Sequence, residues 1–168
     1  MKIDQKLSAR SLLPAVERAL EVAASKVVSL GKRWNVSHGT PVFTVAGKYT
    51  TRGWTEWTQG FQYGCGIYCF DGTGDKKLLN AAREQVVRAM PSHITHTGVH
   101  DHGFNNLSTF GNLRRLMREG RLLHNEWENA YYELAIKCSG VVQAARWAGV
   151  AVATPSPLSA NASQLGYI

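Results

Sequence analysis

The sequence has little cysteine, few acidic residues and no long apolar run, and each shortage bears on the class of protein. Its 3 cysteines cannot all pair within one chain, which argues against a disulfide framework. No apolar run approaches the length of a membrane span, so we expect no contact with a membrane. Charged residues interrupt the apolar positions near the N-terminus, which excludes a signal-peptide core and favours a cytoplasmic location.

Acidic residues are outnumbered, with 12 Asp and Glu against 19 Lys and Arg in 168 residues. The formal net charge of +7 and the pI of about 9.5 suit an acidic ligand or a nucleic acid. The basic residues are scattered along the chain, so we expect no nucleic-acid partner. The densest basic run, from Arg114 to Arg121, is expected to be a solvated helix face.

Apolar residues spaced alternately by three and four positions predict about five helices joined by turns, and therefore an all-α fold built as a helical-hairpin array. Ser11 is expected to cap the first helix, Gly31 to end it, and Asp75 to cap the third. The fourth helix is expected to stop near Gly120, and Asn125-Glu-Trp-Glu128 resembles a capping box at the start of the fifth. The expected apolar faces are Leu13, Val16, Leu20, Ala23, Val27 and Leu30; Trp54, Trp57, Phe61, Cys65 and Tyr68; Leu79, Ala82, Val86 and Met90; Phe104, Leu107, Phe110, Leu113 and Met117; and Trp127, Tyr131, Leu134, Cys138, Val141, Ala145 and Ala148.

Two longer segments interrupt this array, at residues 35–53 and 92–103. The first mixes glycine with Val, Thr and Tyr, which predicts a long loop with a short extended pair. Loops of this length within a compact domain commonly carry function, so we expect both segments to form the site. Trp54 and Trp57 lie beside the first loop, and such aromatic faces stack on sugar rings. Phe61 and Tyr68 are expected to lie in the core instead.

The second loop holds the densest polar cluster, which comprises His93, His96, His100, Asp101 and His102. Imidazole and carboxylate groups are good metal ligands, so a metal protein is one hypothesis. The paired Cys or His spacing of zinc sites does not accompany these residues. A polar loop with capping side chains is therefore favoured over a metal site.

Motifs in these segments resemble a known family. Trp57-Thr-Gln-Gly-Phe61 is followed by Gly64 and by Asp71-Gly-Thr-Gly-Asp75, and further on by His100-Asp-His-Gly-Phe104. In order and separation they resemble the unsaturated glucuronyl hydrolases of glycoside hydrolase family 88 and the related unsaturated rhamnogalacturonyl hydrolases. The resemblance runs from about residue 34 to residue 147.

This resemblance implies an (α/α)6 toroid that removes a 4,5-unsaturated uronic acid from the non-reducing end of an acidic oligosaccharide. A carboxylic acid protonates the vinyl ether of that sugar, water adds to it, and the resulting hemiketal collapses. In this interpretation Asp101 is one of two catalytic aspartates, and His100 lines the same subsite. Trp57 is a stacking wall for the substrate, with Trp54 beside it. The resemblance implies neither a metal nor an organic cofactor.

The sequence departs from the family pattern at two positions. Gln62 stands where relatives often carry another tryptophan, and Asp101 is the last aspartate in the chain. No carboxylate side chain follows Glu133, so the second catalytic aspartate is missing from this chain. We therefore expect residues 1–168 to be the N-terminal part of such a toroid, and its unpartnered helix faces to favour self-association.

Two alternatives belong to other classes of protein. The first is a catalytically inactive carbohydrate-binding helical module that keeps Trp57 and Asp101. The second is a basic helical-repeat protein that binds nucleic acid, for which a steep salt dependence of affinity would be the signature.

Overall fold

The computed structural model describes residues 7–52 and 57–147, which are mostly helical, as the periodicity predicts. The helical segments are α1 (Ala9–Arg33), α2 (Thr58–Thr73), α3 (Lys76–Ala89), the single turn α4 (Pro91–Ile94), a π-helix (Gly103–Gly111), α5 (Asn112–Arg118) and α6 (Glu126–Trp147). The π-helix runs directly into α5. Among the described residues, none of these helices combines the length and apolarity that crossing a membrane requires.

Helix α1 is longer at both ends than the sequence predicts. Ser8 rather than Ser11 is the N-cap, and each serine side chain accepts a hydrogen bond from the backbone of the other. Gly31 lies inside the helix, which ends at Trp34. Leu20 packs against Gly72 near the C-terminal end of α2. The part of α1 that precedes Leu20 therefore extends beyond α2, and its predicted core residues Leu13 and Val16 are exposed.

The segment 35–53 contains the expected extended pair. A short 3-10 turn (Val36–His38) leads into strand β1 (Thr40–Val45), which pairs antiparallel with β2 (Lys48–Arg52). Ala46 and Gly47 join the strands with φ angles of 48° and 73°. Two consecutive positive φ angles are typical of the type I′ turn, whose twist matches that of a hairpin.

Helix α3 agrees with the sequence prediction. Asp75 caps it by accepting a 2.9 Å hydrogen bond from the backbone of Lys77. Its predicted face is buried, with Val86 and the following Met90 fully inaccessible to solvent. These side chains join residues of α2, α5 and α6 in one apolar core.

Helix α2 buries the opposite face from the one that hydropathy predicts. Phe61, Cys65 and Tyr68 are exposed, whereas Gly60 and Gly64 face the π-helix. A Cβ on Gly60 would overlap the backbone of Asn105, and one on Gly64 would lie 2.9 Å from the carbonyl oxygen of Ser108. The prediction that Phe61 and Tyr68 belong to the core is therefore wrong, because the glycines allow the two backbones to approach on their own side.

The π-helix also changes which residues are buried. Phe110, Leu113 and Met117 lie in the core as predicted, but Phe104 and Leu107 are exposed. A π-helix has more residues per turn than an α-helix, so a face projected at α-helical spacing drifts away from the core before it reaches residue 104. Its buried positions include polar residues, namely Asn105, Asn106, Ser108 and Thr109.

The predicted apolar face of α6 is likewise wrong. Trp127, Leu134 and Val141 are largely exposed, Ala145 is exposed, and Tyr131 and Cys138 are only partly buried, while Ala148 lies outside the described residues. The buried positions are Tyr132, Ala135, Ser139 and Gln143. Two of these residues, Ser139 and Gln143, are polar and form hydrogen bonds in the interior. The buried face of α6 therefore carries less apolar side chain than its exposed face. The Asn125 cap is present, with a 3.0 Å bond from the backbone of Glu128.

Candidate functional site

Two of the three sequence motifs, at residues 57–61 and 100–104, come together where α2 begins beside the start of the π-helix. The backbone N–H of Gly60 donates a 2.9 Å hydrogen bond to Oδ1 of Asn105, across 45 positions of sequence. Gly64 packs on Ser108 further along, and Asp71 pairs with Arg115 at the other end. The two helices therefore run side by side in the same direction and place both motifs at one end of the pair.

Three aromatic rings form an exposed surface at this end, which we call the aromatic wall: Trp57, Phe61 and Phe104. The ring centroids lie 5.4 to 5.7 Å apart, and Trp57 meets Phe61 edge-on at 88°. Trp57 is 41% exposed, so one face of the wall is available to a ligand. Trp54, the other predicted binding residue, lies outside the described residues.

Asp101 and His100 lie just before the π-helix, whose second residue is Phe104 of the wall. Nε2 of His100 lies 3.4 Å from Oδ1 of Asp101, and the Asp101 side chain is 14% exposed. The backbone carbonyl of Asp101 accepts a hydrogen bond from the N–H of Asn105, which fixes the backbone of Asp101 at the start of the π-helix.

Beneath the wall lies a buried polar network. Nε2 of His93 lies 2.5 Å from Oε1 of Gln59, which ties the second long loop to α2. His102 contacts the Ser139 hydroxyl at 2.8 Å through Nδ1 and the His96 carbonyl at 2.5 Å through Nε2. Asn106 donates to the same Ser139 hydroxyl at 3.1 Å.

The network holds at least one histidine in its neutral form. His93 is almost completely inaccessible to solvent, and this desolvation, together with the nearby His96 and His102, lowers its pKa to about 4. Within residues 7–52 and 57–147, no three His, Cys, Asp or Glu side chains are arranged to hold a metal ion. His93 and His102 are instead structural partners of polar side chains beneath the wall.

Sequence reasoning missed Gln59, Asn105 and Ser139, which connect the motifs to the rest of the fold. Asn105 belongs to the run Asn105-Asn-Leu-Ser-Thr109, which is unusually polar for a helix that faces a core. Such a run is a signal that could have predicted a buried hydrogen-bonded network.

The arginine run between Arg114 and Arg121 is not the solvated face that we expect from the sequence. Arg115 and Arg121 both pair with Asp71 at the end of α2, at 2.6 and 2.7 Å. Arg114 pairs with Glu133 of α6 at 2.7 Å. These pairs bridge three helices, so the run contributes to the packing of the fold.

No family model, no curated protein and no solved structure matches this chain.

Proposed function

We propose that this protein is a glycoside hydrolase-like cytoplasmic protein of the (α/α)6 toroid type. Its ligand is a 4,5-unsaturated uronic acid at the non-reducing end of an acidic oligosaccharide, and its reaction is hydration of the vinyl ether. The observation that carries the proposal is the ring contact between Phe61 and Phe104, with centroids 5.4 Å apart. It joins two of the three motifs on which the family resemblance rests, at residues 57–61 and 100–104.

The aromatic wall suits a sugar ring. Sugars carry C–H groups on their ring faces, and an exposed indole such as Trp57 offers a flat apolar surface of similar size. Phe61 and Phe104 pack against Trp57 and hold it in place, which lowers the entropy cost of ordering it when a ligand binds.

Asp101 and His100 supply the polar side of the subsite. The carboxylate of Asp101 accepts hydrogen bonds from sugar hydroxyl groups, while His100 lines the same subsite and orients the carboxylate from 3.4 Å. The hydration also needs a second carboxyl group that protonates the vinyl ether, and the negative charge of Asp101 would favour the protonated form of a carboxyl group placed beside it.

A second candidate function is that of a carbohydrate-binding module without turnover. The chemistry needs two carboxyl groups, and four follow Asp101 in the described part of the chain. Three of them form ion pairs elsewhere, and the fourth, Glu126, is exposed in the first turn of α6. Glu119 pairs with Arg115, Glu128 with Arg83, and Glu133 with Arg114 and Lys137. This arrangement favours binding without catalysis by the 168-residue chain.

One titration separates these functions. An unsaturated uronate disaccharide is added while tryptophan fluorescence reports binding and the vinyl-ether ultraviolet absorbance reports turnover. We expect Trp57→Ala to weaken binding about five-fold, because a stacked ring contributes on the order of 1 kcal/mol. The matched control is Trp127→Ala, since Trp127 is an exposed tryptophan on α6 and should leave affinity unchanged.

The outcomes lead to different conclusions. Binding with loss of absorbance that Asp101→Asn abolishes supports the hydrolase. Binding without loss of absorbance supports the carbohydrate module. If the disaccharide does not bind, or if Trp57→Ala and Trp127→Ala behave alike, the proposed site is wrong.

A further inference from the structure

The aromatic wall continues into a second exposed surface. Phe61 of the wall and Tyr68 lie seven residues apart on α2, which is nearly two full turns, so both side chains stand on one face. On the neighbouring π-helix, Phe104 and Leu107 are exposed in the same way. Since the two helices run side by side in the same direction, these faces form one surface that extends about 16 Å along α2 from Trp57 to Tyr68.

At its far end this surface opens into a groove of about 740 Å³. We call it the arginine groove; its lining includes Tyr68, Leu107, Arg114, Arg115, Arg118 and Glu119. Three of these side chains are cationic, and the carboxylate of Glu119 is already paired with Arg115 at 2.7 Å. The groove therefore combines an aromatic side, supplied by Tyr68, with a floor that carries three arginines.

The three arginines of the groove differ in the ion pairs that they form. Arg115 is held by Asp71 and Glu119, and these contacts raise its pKa. Arg114 pairs with Glu133 through one Nη, but its buried Nε has no hydrogen-bond partner. Arg118 is exposed and, in the part of the chain that the structure describes, makes no ion pair. Arg118 is thus a cation with five N–H donors available to an anion.

We propose that the arginine groove binds a second anionic group of the same oligosaccharide, several sugar units from the terminal uronate on the aromatic wall. This inference rests on the proposed function, and it makes the preferred ligand an extended acidic oligosaccharide rather than a disaccharide. Arg118 binds the carboxylate or sulfate ester, and Tyr68 packs against the sugar ring that carries it. The guanidinium fork matches both oxyanions in geometry.

The test compares unsaturated uronate di-, tetra- and hexasaccharides, each with and without sulfate esters, by calorimetric titration. In the wild-type protein the longer ligands should bind about ten-fold more tightly than the disaccharide, because one charge-assisted contact is gained. Arg118→Gln should remove this gain and leave the affinity for the disaccharide unchanged. Arg118→Lys should keep part of it, since the charge remains while the fork is lost.

Arg88→Gln is the matched control, because Arg88 is also an exposed helical arginine but lies on α3. It should retain the full gain with length. A gain equal in the sulfated and unsulfated series identifies carboxylate as the bound group, and a gain confined to the sulfated series identifies sulfate. If the affinity does not rise with length, or if Arg118→Gln retains the rise, the groove proposal is overturned while the wall site stands. If the disaccharide itself does not bind, the proposed function fails first.

Discussion

Gly60 donates its backbone N–H to Oδ1 of Asn105 at 2.9 Å, at a point where the backbones of α2 and the π-helix are in direct contact. The bond satisfies a backbone donor in the first turn of α2, where no donor has an intrahelical partner. It also fixes the distance between the two halves of the candidate site, because Phe61 and Phe104 are the sequence neighbours of these two residues.

Adding a single methyl group here should be strongly destabilising. In Gly60→Ala the new Cβ would overlap the Cα of Asn105 and the carbonyl oxygen of Phe104, neither of which can move independently of its helix. We expect a loss of about 3 kcal/mol in the free energy of unfolding, measured by urea denaturation. Gly140→Ala in α6 is the control, because its Cβ meets no atom within 4 Å and should stabilise by up to about 1 kcal/mol. Equal effects would contradict the close helix contact.

The Ser139 hydroxyl is expected to be a central member of the buried network. It contacts Nδ1 of His102 at 2.8 Å and accepts from Asn106 at 3.1 Å, so Ser139→Ala leaves two buried polar groups without this partner. The expected loss is about 1–3 kcal/mol in the free energy of unfolding. Ser92→Ala provides the comparison, since Ser92 is exposed and should change stability by less than about 0.5 kcal/mol. A neutral Ser139→Ala would show that the network is not formed.

Stability should depend on pH through His93. Its pKa is lowered from 6.5 to about 4, so the unfolded chain binds a proton at a higher pH than the folded one does. The contribution of His93 is fully present above pH 6.5 and is lost as the pH falls towards 4, by up to about 1.4 kcal/mol per pH unit. Urea midpoints measured between pH 7 and pH 4.5 should fall more steeply for the wild type than for His93→Gln.

The exposed His124 supplies the reference for that measurement. The urea midpoint of His124→Gln should fall with decreasing pH as steeply as that of the wild type. Parallel slopes for the wild type and His93→Gln would mean that His93 is already accessible to protons in the folded state.

Two ion pairs on α3 should differ in strength. Arg83 pairs with Glu128 of α6, and both side chains are mostly buried, whereas Arg88 and Glu84 form a pair within α3 with about two-thirds of each side chain exposed. Double-mutant cycles should give a coupling energy of about 1–2 kcal/mol for the first pair and less than about 0.5 kcal/mol for the second. The reverse order would indicate that α6 does not dock on α3 through Arg83.

The sequence marks the starts of α3 and α6 and the end of α5, but it misplaces both ends of α1, where Ser8 and not Ser11 is the N-cap and Gly31 lies inside the helix. Asp75 and Asn125 have the expected capping bonds, and Gly120 ends α5 with a φ of 71°. Burial is harder to predict. In α2 the inner face is lined by Gly60 and Gly64, which let the backbones of α2 and the π-helix come into contact. Hydropathy does not measure such a contact.

The same limit applies to α6 and to the candidate site. Ser139 and Gln143 are buried because their hydrogen-bond partners come from the second long loop, which no local pattern in α6 could indicate. Trp57, His100 and Asp101 could be selected from motif spacing alone. Their supporting residues, Gln59 and Asn105, could not be selected, because their partners lie more than thirty positions away in sequence.

The number of residues in the π-helix determines which side of the molecule the candidate site faces. Residues 103–111 connect Asp101 on one side to the core residue Leu113 on the other, along one continuous helix. Removing one residue from this segment would rotate everything before the deletion relative to α5, by somewhat less than the roughly 100° per residue of an α-helix, since a π-helix has more residues per turn. Asp101 and Phe104 would then face a different side of the molecule with every side chain still present. The orientation of the site is therefore set by the number of residues in this stretch as much as by their chemistry.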